Sequence, residues 1–350
     1  MDAMFDCVAI ESIATVVPNS FQTMDSNFLG IDDGEIAKIT NITGITQVAI
    51  APSLVTSLDL CNVAAKSLLA QTPSYINEID VVIFVSQTRD YILPTSASLA
   101  QAQLGLKESS LCLDVPSGCT GYLHGLFIAS TFLQSKAANK VLLLCGETNS
   151  KLINKADKSV AMIFGDAGSA TVLGRRSDVD SYFAFKTDGN GYDKIIVSEG
   201  GARHPFDADS LLATEYENGN FRRPLDMKMD GMSVFNFAIT SVPKLVSDTL
   251  SKLSLSAESI DLFASHQANK LIVNQLSKKC GFSLQKAPFL ASKFGNTGPV
   301  SIPLLLTEGF ANNNSELSKV MMCGFGVGLN WGVCVTDLSK STVQPTIFWN

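Results

Sequence analysis

The chain has 350 residues, of which 46% are hydrophobic and 17% charged, so it can build a large core and is too apolar to be disordered. The formal net charge is −7 without a basic run, which argues against a nucleic-acid-binding surface or an anionic-membrane anchor. No apolar run is long enough to span a bilayer, and the first residues lack the basic region of a secretory signal. These features predict a cytoplasmic protein.

Short apolar runs alternate with helical patterns along the chain. The predicted buried strands are Val81–Ser86, Leu111–Val115, Val141–Cys145, Ala170–Leu173, Leu262–Ser265, Val320–Cys323 and Trp331–Thr336. The predicted helices are Leu58–Gln71, Ala97–Leu104, Gly121–Gln134, Phe235–Leu253, Asn269–Lys279 and Ile302–Asn312. This alternation predicts an α/β fold whose sheets are covered on both faces. Residues 198–223 are polar and Gly-rich, and they are predicted to form a long surface loop that could act as a lid.

Three segments of the first half have counterparts in the second half at a nearly constant separation. The matched pairs are Ile79–Ser86 with Ile260–Ser265, Gly118–Gly121 with Gly295–Gly298, and Val141–Gly146 with Val320–Gly324. The repetition predicts two related halves, residues 1–176 and 177–350. Asn296 then occupies the position in the second half that Cys119 holds in the first. If a pseudo-twofold axis relates the halves, these two residues face each other across the junction.

The eight cysteines form no C-x-x-C pair, and the chain has only three histidines, so a metal site is not expected. Most of the cysteines lie in apolar runs and are interpreted as reduced core residues. Cys119 differs because it lies between a predicted strand and a predicted helix. At a helix start, free N–H groups favour a thiolate and lower the pKa of the thiol, which makes the cysteine a better nucleophile. The alternative is an ordinary small buried cysteine.

His266 follows a predicted strand and precedes a predicted helix, where the strand ends of α/β folds carry site residues. It is a candidate catalytic imidazole or, alternatively, a structural hydrogen-bonding residue. His124 lies inside a predicted helix and His204 in the long loop, so neither is favoured. Asn296 lies in a glycine-flanked turn, which is itself typical of asparagine. The Gly324–Gly332 segment lacks the pattern of a dinucleotide site, but its N–H groups could bind an oxyanion near a nucleophile.

Taken together, these motifs resemble those of the β-ketoacyl-acyl-carrier-protein synthase III family, condensing enzymes of the thiolase superfamily. The resemblance extends from about Val8 to Leu338. It rests on Thr43-Gly44-Ile45, Gly118-Cys119-Thr120-Gly121, Ile163-Phe164-Gly165-Asp166, His266-Gln267-Ala268-Asn269, Gly295-Asn296-Thr297 and the Gly324 segment. It implies the thiolase fold, an α-β-α-β-α sandwich of two five-stranded halves, in a homodimer.

The resemblance implies an acyltransferase of fatty acid biosynthesis that carries out a decarboxylative condensation. Cys119 would take an acyl group from a thioester, and the N–H groups of Cys119 and Val327 would bind the oxyanion. A malonyl group on acyl carrier protein would then lose CO₂, and His266 and Asn296 would stabilise the resulting enolate. No metal or redox cofactor is expected, and neither nucleic acid nor a membrane is an expected partner.

The resemblance also implies roles around the nucleophile. Leu93, Met229, Phe325 and Gly326 would shape the substrate pocket, and Lys38, Ile42, Lys158 and Asn269 would lie along the coenzyme A and pantetheine path. Several of these positions depart from the family: a Trp and an Arg that stack the adenine become Lys38 and Ile42, and a further Arg becomes Lys158. A Phe from the second subunit becomes Leu93, and a glycine of the Gly-rich motif becomes Val327. Lys270, Lys278 and Lys279 would form the carrier-protein docking surface.

Two alternatives remain from the sequence. An acyltransferase of the same fold could move the acyl group from Cys119 to an oxygen or nitrogen acceptor. Asn296 favours condensation, because only decarboxylation needs a second donor to an enolate. An inactive subunit of a heterodimer is disfavoured, because Cys119, His266 and Asn296 are all present.

Overall fold

A computed structural model describes residues 1–25, 32–216 and 219–350. Its strands are β1 (Asp2–Pro18), β2 (Phe21–Thr23), β3 (Gln47–Ala49), β4 (Ile79–Val85), β5 (Leu111–Val115), β6 (Lys140–Glu147), β7 (Ala167–Thr187), β8 (Ile195–Ile196), β9 (Thr214–Tyr216), β10 (Asn220–Arg222), β11 (Lys228–Met229), β12 (Leu262–Ser265), β13 (Val320–Gly326), β14 (Asn330–Thr336), β15 (Thr342–Val343) and β16 (Ile347–Trp349). Its helices are α1 (Asp33–Thr43), α2 (Ser57–Gln71), α3 (Tyr75–Glu78), α4 (Ser96–Gln103), α5 (Gly121–Gln134), α6 (Lys158–Ala161), α7 (Gly231–Lys252), α8 (Lys270–Cys280) and α9 (Ser301–Phe310).

The helices and the two halves of the sheet form five layers. Helices α5 and α9 lie in the middle, and their apolar residues pack against strands of both halves. Helices α2 and α4 cover the outer face of the first half, and α7 and α8 cover that of the second half. Strand β6 is buried on both faces, which explains its continuous apolar sequence. Leu143 packs toward the middle helices, and Leu142 packs toward α2 and α4. The predicted α-β-α-β-α fold is confirmed.

Two long strands run through both halves. The first part of β7 pairs with β6, and its last part pairs with β14. Strand β1 pairs antiparallel with β7 along nearly the whole length of β7. The first half has the strand order β5-β4-β6-β7-β1, with the short strands β15 and β16 paired to the far side of β1, and the second half has the order β12-β13-β14-β7-β1. The predicted boundary at residues 176 and 177 falls inside β7, so a shared strand crosses it in place of a linker. The division into residues 1–176 and 177–350 stays a prediction.

The repeated segments occupy matching places in the two halves. Strand β4 is parallel to β6, as β12 is to β13, and each pair continues into an antiparallel partner, β7 or β14. Cys119 precedes α5, the middle helix of the first half, and Asn296 precedes α9, the middle helix of the second. Both residues therefore lie just before a middle helix, where the two halves meet.

The predicted bounds of α5, β5 and β12 agree with the structure. The prediction for residues 170–173 covers only a small part of β7, because that strand continues through a polar stretch whose residues alternate with buried ones. Residues 198–223 are largely exposed as predicted, but part of this segment forms the hairpin β9–β10; residues 217 and 218 lie outside the described residues.

None of the described helices is long and apolar enough to cross a membrane. All eight cysteines are free thiols, and Cys61, Cys145, Cys323 and Cys334 are buried.

Candidate active site

Cys119 lies at the start of α5, where the chain turns from β5 into the middle helix. Thr120 does not cap this helix, because its hydroxyl donates instead to the Asn330 carbonyl at 3.0 Å. Gly326 of β13 lies directly against the nucleophile: a Cβ there would be 2.7 Å from the Cys119 Cβ and 2.9 Å from its Sγ. Glycine is therefore required at this point, because any side chain would displace the thiol.

Two backbone groups point at the sulfur of Cys119. The N–H groups of Val327 and of Cys119 itself hydrogen-bond to Sγ and favour its thiolate form. The replacement of the family's glycine by Val327 therefore leaves this backbone donor in place. Two converging N–H groups can also stabilise the negative oxygen that forms when a thioester is attacked.

The expected lowering of the Cys119 pKa is wrong. Burial of the thiol and, to a smaller extent, the nearby Glu147 carboxylate raise the pKa of Cys119 to about 12. Desolvation of the thiolate therefore outweighs the helix start and the two N–H groups. The resting nucleophile is a thiol, so acyl loading must include removal of its proton.

His266 follows β12 and is almost fully buried. Its Nδ1 lies 2.7 Å from the Ser301 hydroxyl at the start of α9, and its ring packs edge-on against Phe325 with the ring centroids 5.3 Å apart. Burial lowers the pKa of His266 to about 3, although a hydrogen bond with the Gly298 backbone acts in the opposite direction. The imidazole is therefore neutral near pH 7 and a weak base, and it can donate a hydrogen bond.

Asn296 is held by the segment that contains Ile163-Phe164-Gly165. Its backbone N–H donates to the Ile163 carbonyl at 2.8 Å, and its carbonyl accepts the Gly165 N–H at 3.0 Å. Gly165 permits this contact, because a Cβ there would lie 1.9 Å from the Phe294 carbonyl oxygen. The Asn296 Oδ1 accepts the Gly298 N–H at 3.0 Å, so the side chain is oriented and its Nδ2 remains available as a donor.

One cavity of about 450 Å³ brings the three residues together. Cys119, His266 and Asn296 all line it, and most of its remaining wall is apolar. Of the predicted pocket residues, Met229, Phe325 and Gly326 line this cavity, but Leu93 does not. Leu93 is 80% exposed on the surface of this chain, which is compatible with a residue that acts across a subunit interface.

The mouth of this cavity lies between α1 and α8. Ile42 and Leu271 line it and remain partly exposed, and Asn269 caps the start of α8 by accepting the Ile272 N–H at 2.8 Å. Gly44, which ends α1, brings the two helices together, since a Cβ there would lie 2.6 Å from the Lys270 Cβ. Of the predicted coenzyme A residues, Ile42 and Asn269 therefore reach the cavity.

The charged residues predicted near the mouth take different positions. Lys38 is exposed on α1 and does not line the cavity. Lys158 forms an ion pair of 3.3 Å with Glu35, so its charge is partly neutralised. Lys270 is exposed at the start of α8, and Lys278 and Lys279 are exposed in its last turn. Because α8 has eleven residues, Lys270 lies roughly 12 Å along the helix axis from the pair Lys278 and Lys279.

The other two histidines are outside the cavity. His124 lies in α5, where its Nδ1 is 2.8 Å from the Ser117 hydroxyl and its ring packs against Phe185. His204 is exposed in the long loop. No described residue of the 198–223 segment lines the 450 Å³ cavity. The lining of the cavity therefore does not support the prediction that this segment acts as a lid.

Sequence reasoning missed several polar residues near the nucleophile. Ser301 pairs with His266 only because α9 and β12 meet in the fold, although the preceding Gly298-Pro299 does indicate a helix start. Glu147 ends β6 and is buried beside Cys119, where its oxygens accept the Gln87 N–H at 2.8 Å and the Thr88 hydroxyl at 2.7 Å. Burial raises the pKa of Glu147 to about 7. The sequence signal that could have identified Glu147 is an acidic residue at the end of a buried apolar strand.

Comparisons with known proteins agree with this geometry. Residues 113–191 match the family model of 3-oxoacyl-[acyl-carrier-protein] synthase III, and residues 250–338 match its C-terminal model. The β-ketoacyl-[acyl-carrier-protein] synthase III of Streptococcus mutans is 32% identical over 94% of this chain and 98% of its own length. That of Lactococcus lactis strain IL1403 is 32% identical over 94% of this chain and 98% of its own length.

A solved structure extends the likeness to the whole fold. The 3-oxoacyl-(acyl-carrier protein) synthase of Burkholderia xenovorans LB400 superposes with a TM-score of 0.93 at 34% identity, covering 100% of this chain and 99% of that one. The identity, the coverage and the shared architecture are together too extensive for a likeness of fold alone. The chain belongs to the 3-oxoacyl-[acyl-carrier-protein] synthase III family.

Proposed function

We propose that this protein condenses an acyl group carried on Cys119 with a malonyl group on acyl carrier protein, releasing CO₂ and a 3-ketoacyl thioester. The observation that carries the proposal is the single cavity lined by Cys119, His266 and Asn296. It combines a nucleophile with two groups that can donate hydrogen bonds to an enolate. Family membership and the names of the relatives support the same reaction and a role in fatty acid biosynthesis.

Acyl loading is the first half of the reaction. The sulfur of Cys119 attacks the thioester carbonyl, and the N–H groups of Cys119 and Val327 stabilise the oxyanion. Because burial raises the pKa of the thiol, its proton must be lost as the sulfur attacks. The donor C–S bond then breaks, and the proton leaves with the departing thiol.

Condensation is the second half. Malonyl decarboxylation leaves an enolate whose oxygen accepts hydrogen bonds from His266 and Asn296. Its carbon attacks the acyl-enzyme carbonyl, forming the new C–C bond, and the Cys119 thiolate leaves and regains a proton. The thiol, the N–H groups and the two donors supply every role in this scheme, so we propose that no metal or redox cofactor takes part.

The release of labelled CO₂ from malonyl-acyl carrier protein tests the proposal directly. We expect CO₂ and a 3-ketoacyl product in equal amounts once Cys119 has been acylated by an acyl thioester. Transfer of the acyl group to an oxygen or nitrogen acceptor without CO₂ release would instead support the alternative acyltransferase. The free Nδ2 of Asn296, oriented by Gly298, favours condensation.

Carrier-protein docking should depend on the exposed lysines of α8. The chain and a typical acyl carrier protein are both acidic, so attraction must come from a local basic patch. Replacing Lys270, Lys278 and Lys279 with glutamate should reduce kcat/KM for malonyl-acyl carrier protein at low salt and leave loading by a small thioester unchanged. The difference from wild type should shrink as salt screens the wild-type attraction.

A matched charge reversal provides the control. Lys66, Lys136 and Lys319 are also exposed, and their replacement with glutamate changes the net charge by the same amount away from α8. This control should retain nearly wild-type kcat/KM for the carrier protein. Equal losses in the two triple variants would show that net charge, and not a patch on α8, governs the association.

Coenzyme A itself should bind weakly. Neither Lys38 nor the exposed Ile42 can provide the stacking of an aromatic ring and a guanidinium, and Glu35 neutralises part of the charge of Lys158. The missing stacking is worth about 1–3 kcal/mol by analogy with bases on aromatic side chains. The double variant Lys38→Trp, Ile42→Arg should therefore lower the Kd of acetyl-CoA, measured by calorimetry.

An acetyl-pantetheine thioester, which lacks the adenine, controls for changes along the pantetheine path. The gain in affinity for acetyl-CoA should exceed any change in affinity for this thioester, which reports the effect of Ile42→Arg at the cavity mouth. Low-micromolar binding of acetyl-CoA to the wild type would contradict the prediction of weak coenzyme A binding.

We also propose that the protein is a cytoplasmic homodimer. Strand β5 ends the sheet order and pairs only with β4 among the described strands, which leaves an edge for a second copy. Beside it, Tyr91, Ile92 and Leu93 are exposed apolar residues on one loop. Eight free thiols support a reducing compartment.

A further inference from the structure

The described residues that line the Cys119 cavity include no Lys, Arg, Asp or Glu, so an incoming thioester meets charged side chains around the mouth instead. On α1, Glu35, Lys38 and Ile42 follow one another at spacings of three and four residues and therefore share one face of the helix. Ile42 lines the cavity, and Glu35 lies roughly 10 Å from it along the helix axis. This face of α1 therefore joins the mouth to the outer surface.

An ion pair connects this face of α1 to α6 beside the mouth. The Lys158 Nζ lies 3.3 Å from each carboxylate oxygen of Glu35. Ser159, the next residue, lines the cavity, so the pair lies at the edge of the mouth. The side chain of Lys158 is 24% exposed and that of Glu35 is 42% exposed. Solvent therefore reaches Lys158, but a carboxylate of the same chain already holds its ammonium group.

Glu35 occupies the place that a phosphate group of a substrate would take on Lys158. Lysine is a common ligand of phosphate, so an anion arriving at this edge must compete with Glu35 for the ammonium. The N–H groups at the start of α1 offer no replacement, because the Asp32 carboxylate accepts those of Gly34 at 2.8 Å and Glu35 at 3.0 Å. Asp33 adds a further negative charge to the same turn. This side of the mouth therefore disfavours a ligand that carries several phosphates.

The other side of the mouth has the opposite charge. Lys270, Lys278 and Lys279 are exposed on α8. A carrier protein can place its acidic body against α8 and bring only its phosphopantetheine arm to the mouth. That arm carries one phosphodiester, whereas coenzyme A carries a diphosphate and a 3′-phosphate. The distribution of charge around the mouth therefore favours a carrier-bound thioester over a coenzyme A thioester.

We propose that Glu35 is a specificity-determining residue that excludes coenzyme A by holding Lys158, and that the acyl donor for Cys119 is the phosphopantetheine thioester of a carrier protein. This assignment rests on the proposed function and adds the chemical class of the donor. In the loading step, the acyl–S bond to Cys119 forms as the bond to the phosphopantetheine sulfur breaks. The Cys119 proton leaves with the phosphopantetheine thiol.

The test compares kcat/KM of acyl-enzyme formation, followed by intact mass, for acetyl-CoA, acetyl-pantetheine and acetyl-acyl carrier protein. The wild type should load from the carrier protein roughly tenfold more efficiently than from acetyl-CoA, whose adenine finds no stacking partner at the mouth. Glu35→Gln keeps the size of the side chain and should raise kcat/KM for acetyl-CoA about fivefold, because one partly exposed ammonium becomes available to a phosphate. Acetyl-pantetheine, which has no phosphate, should gain less than about twofold. The gain for acetyl-CoA should appear in KM and shrink as salt screens the charges.

Two further variants show whether Lys158 carries this effect. Asp33→Asn removes the same charge from the same turn of α1 and leaves the Glu35–Lys158 pair intact. It should raise kcat/KM for acetyl-CoA less than about twofold. In the double variant Glu35→Gln, Lys158→Met, the gain for acetyl-CoA should fall to the level of Asp33→Asn, because no ammonium is left for the phosphate.

The possible failures can be told apart. Acetyl-CoA that loads the wild type as efficiently as acetyl-acyl carrier protein would overturn the donor class. An unchanged kcat/KM for acetyl-CoA in Glu35→Gln, or a full gain that survives in the double variant, would overturn the role of Glu35. Loading from the carrier protein that is never followed by CO₂ release and a 3-ketoacyl product would overturn the proposed function and leave the donor assignment intact.

Discussion

Replacing Cys119 with alanine should abolish both acyl-enzyme formation and condensation. No other described cysteine lines the cavity that holds His266 and Asn296, and none has the two N–H groups that converge on this sulfur. Intact mass after incubation with an acyl thioester should show no adduct in the variant. Condensation, measured as the 3-ketoacyl product, should fall to background.

Cys112→Ala is the matched control for this substitution. Cys112 lies on the neighbouring strand β5, is partly buried and does not line the cavity. It should load acyl groups at the wild-type rate. An adduct that peptide mapping places on Cys61, Cys112 or Cys145 would show that the nucleophile has been assigned wrongly.

Asn296→Ala should slow malonyl decarboxylation by roughly 10²–10³-fold while acyl loading stays near the wild-type rate. The Asn296 Nδ2 is oriented by the Gly298 N–H on Oδ1, and it would serve only the enolate. His266→Ala should cost decarboxylation at least as much. Its loading should be affected less, because the N–H groups of Cys119 and Val327 stabilise the oxyanion of the loading step. Single-turnover loading and labelled CO₂ release separate the two steps.

Asn236→Ala, an exposed asparagine on α7, controls for a general effect of removing an amide. It should change neither rate. Loading that falls as far as decarboxylation in both variants would contradict the assignment of Asn296 and His266 to the enolate. A pH profile adds an independent check: wild-type loading should speed up as pH rises toward the raised pKa of Cys119, as the thiolate fraction grows.

The sequence predicted the parts of the fold that depend on local patterns. Helix α5 and strands β5 and β12 are short, uniformly patterned and bounded by turn residues, so their bounds were readable. Strand β7 was not, because polar residues interrupt it where it passes from one half to the other. Strand β1 has no local boundary signals either, and it is defined by its pairing with β7.

The candidate site divides in the same way. Cys119 and His266 were found because each follows a strand in a short distinctive segment, and Asn296 was found because the repeat linked its glycine-flanked turn to the Cys119 segment. Their catalytic roles stay predictions until the variants are measured. The Cys119 pKa was predicted in the wrong direction, because burial of a thiol depends on which distant segments cover it.

The two strands that pass through both halves have a consequence for the unfolding of this protein. Neither half can lose its sheet without disrupting β1 and β7, and therefore the sheet of the other half. Separate melting of two units, as in domains joined by a linker, is thus disfavoured, and the chain should denature as one cooperative unit. Thermal damage anywhere along the shared strands would then separate Cys119 from His266 and Asn296, so catalysis and global structure should be lost at the same temperature.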